Sequence, residues 1–257
     1  MAKRILVVDN DPGEINARKR AQYGETTGEG YAAALKAVDP ACDVAIAAPY
    51  DGDALPLLSE LDGVVFTGSA VDWTTEDPLA AALAEAMRRV FAAGVPTLGS
   101  CNGFQLAASV LGGATAPSPN GREDGLALGI RLTDAGRTHP LLAGRNDGYA
   151  APCVHRDEVV RVPQGAVVLA ANSHSPVQAM VYERDGVRFW GMQYHPEYSL
   201  KFIGARVRDW DLFPDDKAAD LTVADEDPDA AARLGVRFAD MQPEMRMTEI
   251  RNWLRSL

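Results

Sequence analysis

The segment Gly99-Ser100-Cys101-Asn102-Gly103-Phe104-Gln105 constrains the fold of this chain more than any other. An apolar run, Val95-Pro96-Thr97-Leu98, reads as a short buried strand leading into it. Leu106-Ala107-Ala108-Ser109-Val110-Leu111 reads as a helix leading away. A cysteine thus sits at a strand-to-helix turn between small residues. Glycine serves where the backbone is crowded or φ is positive, so this turn can be sharp and can lift the side chain above the sheet edge. The cysteine also stands at a helix N-terminus, where the dipole and free N–H groups favour thiolate over thiol. This is a nucleophile elbow with sulfur in place of a serine oxygen.

The surrounding pattern says what kind of sheet carries the elbow. Residues 4 to 8 and Asp43 to Ala48 read as strands, with helical character from Gly28 to Val38 between them. Gly63 to Thr67 is a third short strand. The Ala-rich stretch Pro78 to Ala93 is a helix, with Gly94 as its cap. Strand, helix, strand, strand, helix, strand, helix predicts a parallel sheet with helices on both faces. Ligands bind such sheets beyond the carboxyl ends of the strands, where both Cys101 and Thr67-Gly68-Ser69 fall. After Gly112-Gly113 short β-like runs take over, at 126–132, 158–162, 166–170, 177–183 and 187–192, with Asp185-Gly186 as a hairpin turn.

A thiol nucleophile needs a base, and the chain has four histidines. His139, His155 and His174 lie in loop-like or mixed contexts. His195, in Gln193-Tyr194-His195-Pro196-Glu197, follows the apolar run Phe189-Trp190-Gly191-Met192 and has a carboxylate two residues on. Pro196 keeps the segment extended, and in extended chain residues i and i+2 point the same way. Glu197 can therefore orient the His195 imidazole and support its charge.

Gly-x-Cys-x-Gly-x-Gln followed about ninety residues later by His-Pro-Glu resembles the class I (Cys-His-Glu triad) glutamine amidotransferases, in particular glutaminase domains of the GMP synthase type. The resemblance covers roughly residues 1–205. It implies a three-layer, flavodoxin-like α/β domain with a mostly parallel sheet. It also implies Cys101, His195 and Glu197 as catalytic residues, and an oxyanion hole of backbone N–H groups near Gly68, Ser69 and Asn102. Gln105, with His155 and Asp157 in a segment similar to the family's Ser-His-x-Asp-x-Val, would bind L-glutamine. Val154 stands where the family usually has serine or asparagine. No cofactor and no metal are implied. The ammonia would go to a separate synthase, since the chain has no phosphate-binding loop of its own. Two alternatives stay open: a γ-glutamyl peptidase using the same triad, and a non-catalytic binding module on the same fold.

Composition excludes other classes. Net charge is −11, which argues against nucleic acid, a partner that needs a basic face. No run of 18 apolar residues suits a membrane span, and the apolar N-terminal stretch is too short for a signal peptide. Three cysteines, Cys42, Cys101 and Cys153, form no paired framework and no metal spacing. A reducing cytoplasm is the expected setting, with Cys42 and Cys153 in the core. Residues 206–257 read as an acidic and helical C-terminal extension. Nine acidic residues against Lys217 alone lie between Asp209 and Asp229, expected either as a solvated surface or as a dock for a basic partner. Met245 to Leu257 then reads as an amphipathic helix with Met247, Ile250, Trp253 and Leu254 on one side.

Overall fold

Strand β1 (Arg4–Val8) is apolar on both faces, as a strand must be when both sides of its sheet are covered. Ile5 and Val7 enter one core, Leu6 and Val8 the other. The structure, a computed structural model, describes residues 2–257. Around β1 the strands β2 (Asp43–Ala47), β3 (Gly63–Phe66) and β4 (Thr97–Ser100) run parallel in the order β2-β1-β3-β4. They are connected by α1 (Gly13–Tyr23), α2 (Thr27–Val38) and α3 (Ala81–Ala92), and α4 (Asn102–Val110) follows β4. Tyr31 and Leu35 of α2 fill the first core; Leu83, Met87 and Phe91 of α3 and Phe104 of α4 fill the second.

The rest of the chain widens the sheet. It forms β5 (Ala114–Pro117), β6 (Glu123–Leu132), α5 (Asp134–Thr138), β7 (Tyr149–His155), β8 (Asp157–Arg161), β9 (Val167–Ala171), β10 (Ala179–Arg184) and β11 (Val187–Met192). Strand β11 returns to pair in parallel with β4, and β10, β9, β6 and β7 continue antiparallel, completing nine strands. Strands β5 and β8 form a separate antiparallel pair. The result is a three-layer α/β fold around a mixed sheet with a parallel centre. The β10–β11 turn has positive φ at both Asp185 and Gly186, the type I′ geometry that Asp-Gly favours.

Three local expectations shift. Strand β4 starts at Thr97 rather than Val95, because Pro96 has no N–H for the ladder and contributes only its carbonyl, which accepts from Val64 N at 2.9 Å. Helix α1 and strand β7 have no counterpart in the sequence pattern: α1 buries only Ile15 and Lys19, and β7 carries Pro152 in its middle.

Residues 200–257 are helical: α6 (Leu200–Asp209), α7 (Asp215–Val223), α8 (Pro228–Arg233), α9 (Phe238–Met241), α10 (Pro243–Arg246) and α11 (Thr248–Ser256). Ile203, Val207 and Leu221 build a third apolar cluster with Leu126 and Ala150 of β6 and β7. Helix α11 joins the first core through Ile250, Trp253 and Leu254. The acidic run is only partly solvated: Asp220 pairs with Arg233 at 2.6 Å, Asp225 lies 3.8 Å from Arg246, and Asp227 caps α8 by accepting from Asp229 N at 2.9 Å.

Candidate active site

Cys101 sits between β4 and α4 with φ 48° and ψ −107°, a region that non-glycine residues occupy at a cost of about 1–3 kcal/mol. Its neighbours hold it there. Cys101 N donates to Met192 O at 2.9 Å, fastening the turn to β11, and Gly103 N donates to Thr67 O at 2.9 Å, fastening it to the end of β3. A Cβ at Gly103 would meet Phe66 O at 2.3 Å, so only glycine allows this approach. Tyr31 of α2 adds a side-chain hydrogen bond to Ser100 Oγ at 2.9 Å. The Cys101 thiol is 5% exposed, at the N-terminus of α4.

His195 follows β11, and its backbone N–H donates to Pro152 O of β7 at 2.8 Å. Its Nδ1 lies 2.6 Å from Glu197 Oε1, with both side chains 2% exposed. Burial alone would depress the imidazole pKa. The charges of Glu197 and Cys101 and their hydrogen bonds outweigh it and push His195 up to about 9. The ring stacks on Tyr198 at 4.0 Å and 5°. Gly68 packs so closely that a Cβ there would lie 2.4 Å from His195 Cε1. The arrangement can hold a thiolate beside an imidazolium, with a carboxylate behind the ring.

The loop Gly68-Ser69-Ala70 is pinned by a residue that the sequence pattern did not single out. Asp11 accepts from Ser69 Oγ at 2.9 Å and from Ala70 N at 2.7 Å. It also pairs with Lys19 and accepts from Thr27 Oγ1 at 2.6 Å. Burial would raise the Asp11 pKa, but the Lys19 ammonium and the hydrogen bonds hold it below the usual carboxylate range. Asn10 links the same loop to the elbow: its N–H donates to Thr67 Oγ1 at 3.0 Å and its Nδ2 to Asn102 Oδ1 at 2.9 Å.

Beside Cys101 lies a cavity of about 190 Å³ lined by Ser69, Asn102, Gln105, His155, Asp157 and Arg206, among others. Of the sequence-singled residues, Cys101, Ser69, Asn102, Gln105, His155 and Asp157 line this cavity, while His195 and Glu197 do not, and Gly68 packs against His195. Several of them are engaged with protein partners. Gln105 Nε2 donates to Asp157 O at 2.6 Å and to Gln193 Oε1 at 3.2 Å. His155 lies with Nε2 2.8 Å from Glu123 Oε2 and Nδ1 3.1 Å from Asp157 O. The Asp157 carboxylate takes Arg156. His139 sits away from this group, edge-on to Trp190 at 4.9 Å. His174 packs edge-on to His155 at 5.7 Å. Cys42 and Cys153 are buried and free. Among the described residues no group of three or more His, Cys, Asp or Glu is placed to hold a metal ion, and no helix is long and apolar enough to cross a membrane.

A family model described as glutamine amidotransferase class-I matches residues 34–212. The chain belongs to the class-I glutamine amidotransferase family. A γ-glutamyl-L-1-hydroxyisopropylamide hydrolase from a Pseudomonas species is 34% identical over 201 residues, covering 76% of this chain and 68% of that protein. A GMP synthase (glutamine-hydrolysing) from Streptomyces avermitilis is 36% identical over 126 residues, but those span 49% of this chain and 23% of the synthase. The chain therefore corresponds to about a quarter of that relative. In three dimensions the chain superposes on a glutamine amidotransferase from Methylobacillus flagellatus with TM-score 0.69 at 19% identity, over 100% of this chain and 96% of that one, a likeness of fold.

Proposed function

We propose that this chain hydrolyses a γ-glutamyl amide bond through a thioester on Cys101. The observation that carries the reading is the 2.6 Å His195–Glu197 contact, with the His195 proton retained up to about 9, beside a thiol on a strained elbow. The Cys101 thiolate adds to the amide carbonyl. Backbone N–H groups of the Gly68–Ser69 loop and Asn102 would stabilise the oxyanion. His195 gives its proton to the departing amine, which leaves as the thioester forms. It then takes a proton from water, which attacks the thioester and releases glutamate and the free thiol. Glu197 holds the ring and its charge. No step requires a cofactor.

The first substrate reading is L-glutamine, with ammonia passed to a separate synthase. It is supported by a relative from Methanoregula boonei, 34% identical over 114 residues, which is one component of a glutamine-hydrolysing GMP synthase rather than the whole enzyme. The second reading is an N-substituted γ-glutamyl amide cleaved by the chain alone. It is favoured by coverage: the match spans 68% of the Pseudomonas hydrolase but 23% of the Streptomyces synthase. Release of glutamate from glutamine and from γ-glutamyl alkylamides by purified protein tests both. Labelling of Cys101 by a glutamine-like electrophile accompanies either. Turnover that survives Cys101→Ala at the parent rate would refute the common mechanism.

A further inference from the structure

Arg206 of α6 is 2% exposed, and its Nε and Nη1 are buried without a hydrogen-bond partner among the described residues. Among the described residues no carboxylate pairs with it: Asp209, on the same helix, pairs with Arg208 and accepts from Gln22, and Asp11 pairs with Lys19. The guanidinium carbon lies over Trp210, 4.2 Å from the ring centre, and 5.9 Å from the ring centre of Tyr198. It lines the same cavity as Cys101. The two other arginines of that cavity already have carboxylate partners, Arg122 with Asp124 at 3.0 Å and Arg156 with Asp157 at 2.8 Å. A buried guanidinium with no counter-charge is strongly unfavourable, which suits Arg206 to take a negatively charged group of a ligand in this cavity.

Which half of a substrate supplies that anion follows from the triad. Under the γ-glutamyl amide reading, on which this inference rests, His195 protonates the departing amine, so the amine half lies on the imidazole side of Cys101. Tyr198 stacks on that imidazole, and the Arg206 guanidinium carbon lies 5.9 Å from the Tyr198 ring centre. Gln105 and Asp157 border the cavity from α4 and β8 instead. We infer that Arg206 is a specificity-determining residue that binds a carboxylate on the amine half, making γ-glutamyl amino acids or short γ-glutamyl peptides the substrates this site prefers. Trp210 packs against the guanidinium, and a guanidinium's planar fork of N–H donors matches a planar carboxylate.

The test uses the full chain and two substrates that differ only in that group, γ-glutamylalanine and γ-glutamylethylamide, with glutamine as a third. The parent is expected to favour γ-glutamylalanine in kcat/KM by about 10- to 100-fold, the range for a hydrogen bond to a charged group. Arg206→Met should abolish that preference by lowering γ-glutamylalanine alone, and Arg206→Lys should keep part of it. Equal kcat/KM for the two amides in the parent overturns the inference while leaving γ-glutamyl hydrolysis standing. Arg206→Met lowering all three substrates equally also overturns it, since the guanidinium would then serve the glutamyl half or the fold. If the parent turns over none of the three, the γ-glutamyl reading itself fails and this inference goes with it. Should Arg206→Met not fold, the parent's preference and the Arg206→Lys ratio decide.

Discussion

His195 holds its proton because two negative groups face it, and that sets a pH signature. Burial would lower the imidazole pKa, but Glu197 and Cys101 raise it to about 9 from an ordinary 6.5. A raised folded pKa stabilises the fold fully below the unfolded value and loses that contribution as pH rises through the folded one. Under the proposed mechanism, the same titration removes the proton that His195 gives to the leaving amine. kcat/KM should therefore hold through neutral pH and fall along an alkaline limb near pH 9, a limb that belongs to the thiolate–imidazolium pair as a unit. Glu197→Gln removes one of the two charges, so the limb should move to lower pH. The accompanying rate loss should be roughly 10- to 100-fold smaller than that of Cys101→Ala, because removing an orienting group leaves the nucleophile in place. A pH–rate profile of the two proteins checks this, and a limb unmoved by Glu197→Gln would contradict it. Gly68 offers a purely steric test. A methyl group 2.4 Å from His195 Cε1 must displace the ring. Gly68→Ala should then lose about 10²-fold in kcat with a melting temperature close to the parent's.

At the level of elements, the site is assembled where three strand ends converge. Strand β4 delivers Cys101, β3 delivers the Gly68 loop, and β11 delivers His195, whose backbone is tied to β7. Helix α4 can start against β3 only because Gly103 has no side chain. Gly103→Ala puts a methyl group 2.3 Å from the Phe66 carbonyl, which is backbone and cannot rotate away. It should cost about 3 kcal/mol in denaturant unfolding, and unchanged stability would mean that the elbow is looser than its hydrogen bonds indicate. How much of this the sequence disclosed depends on how local each signal is. The elbow was legible because strand, glycines and helix are contiguous, and the His195–Glu197 pairing was legible because a proline fixes their spacing. Helix α1 was not, because its eleven residues bury almost nothing apolar. Asp11 sits 58 residues from Ser69, and nothing in either neighbourhood marks the contact. Arg206 looked like one more helix-surface charge in Leu200–Asp209. Only the packing of Tyr198, Phe202 and Trp210 around it reveals a buried, unpaired group.

Across the whole molecule, the last helix is tied to the segment that carries His195 by a buried chain of charges and hydroxyls. Glu249 of α11 receives both arms of Arg145 at 2.8 Å, with both side chains fully buried, and its Oε1 accepts from Tyr194 Oη at 2.8 Å. Tyr194 is the residue before His195 and also shares a 2.7 Å hydrogen bond with Tyr149 of β7. Nearby, Trp253 is 1% exposed and packs on Gly63 of β3, where a Cβ would lie 2.7 Å from the indole. Helix α11 thus stands behind both the strand that ends in the Gly68 loop and the residue next to His195. Two substitutions separate its packing from its charge. Trp253→Ala should cost about 3–5 kcal/mol as a large core truncation. Glu249→Gln leaves Arg145 buried without its counter-charge, and should cost a comparable 3–5 kcal/mol. The double change Arg145→Met with Glu249→Leu should recover much of the second loss, because two apolar side chains can replace a buried ion pair at little cost. The acidic run behaves differently. Its carboxylates have partners in Arg208, Gln22, Arg233 and Arg246 or lie in solvent, and among the described residues none pairs with Cys101, His195 or Glu197. Neutralising Asp225, Glu226 and Asp227 together should leave turnover intact and lower stability by only about 1–2 kcal/mol, mainly through loss of the Asp227 cap on α8. If a separate synthase docks on this run, the same variant should bind it more weakly than the parent, and the difference should shrink as salt screens the charge. Binding measured at two ionic strengths, together with the melting temperature, distinguishes the outcomes. A variant that binds like the parent at both strengths and melts slightly lower would assign these carboxylates to the fold alone.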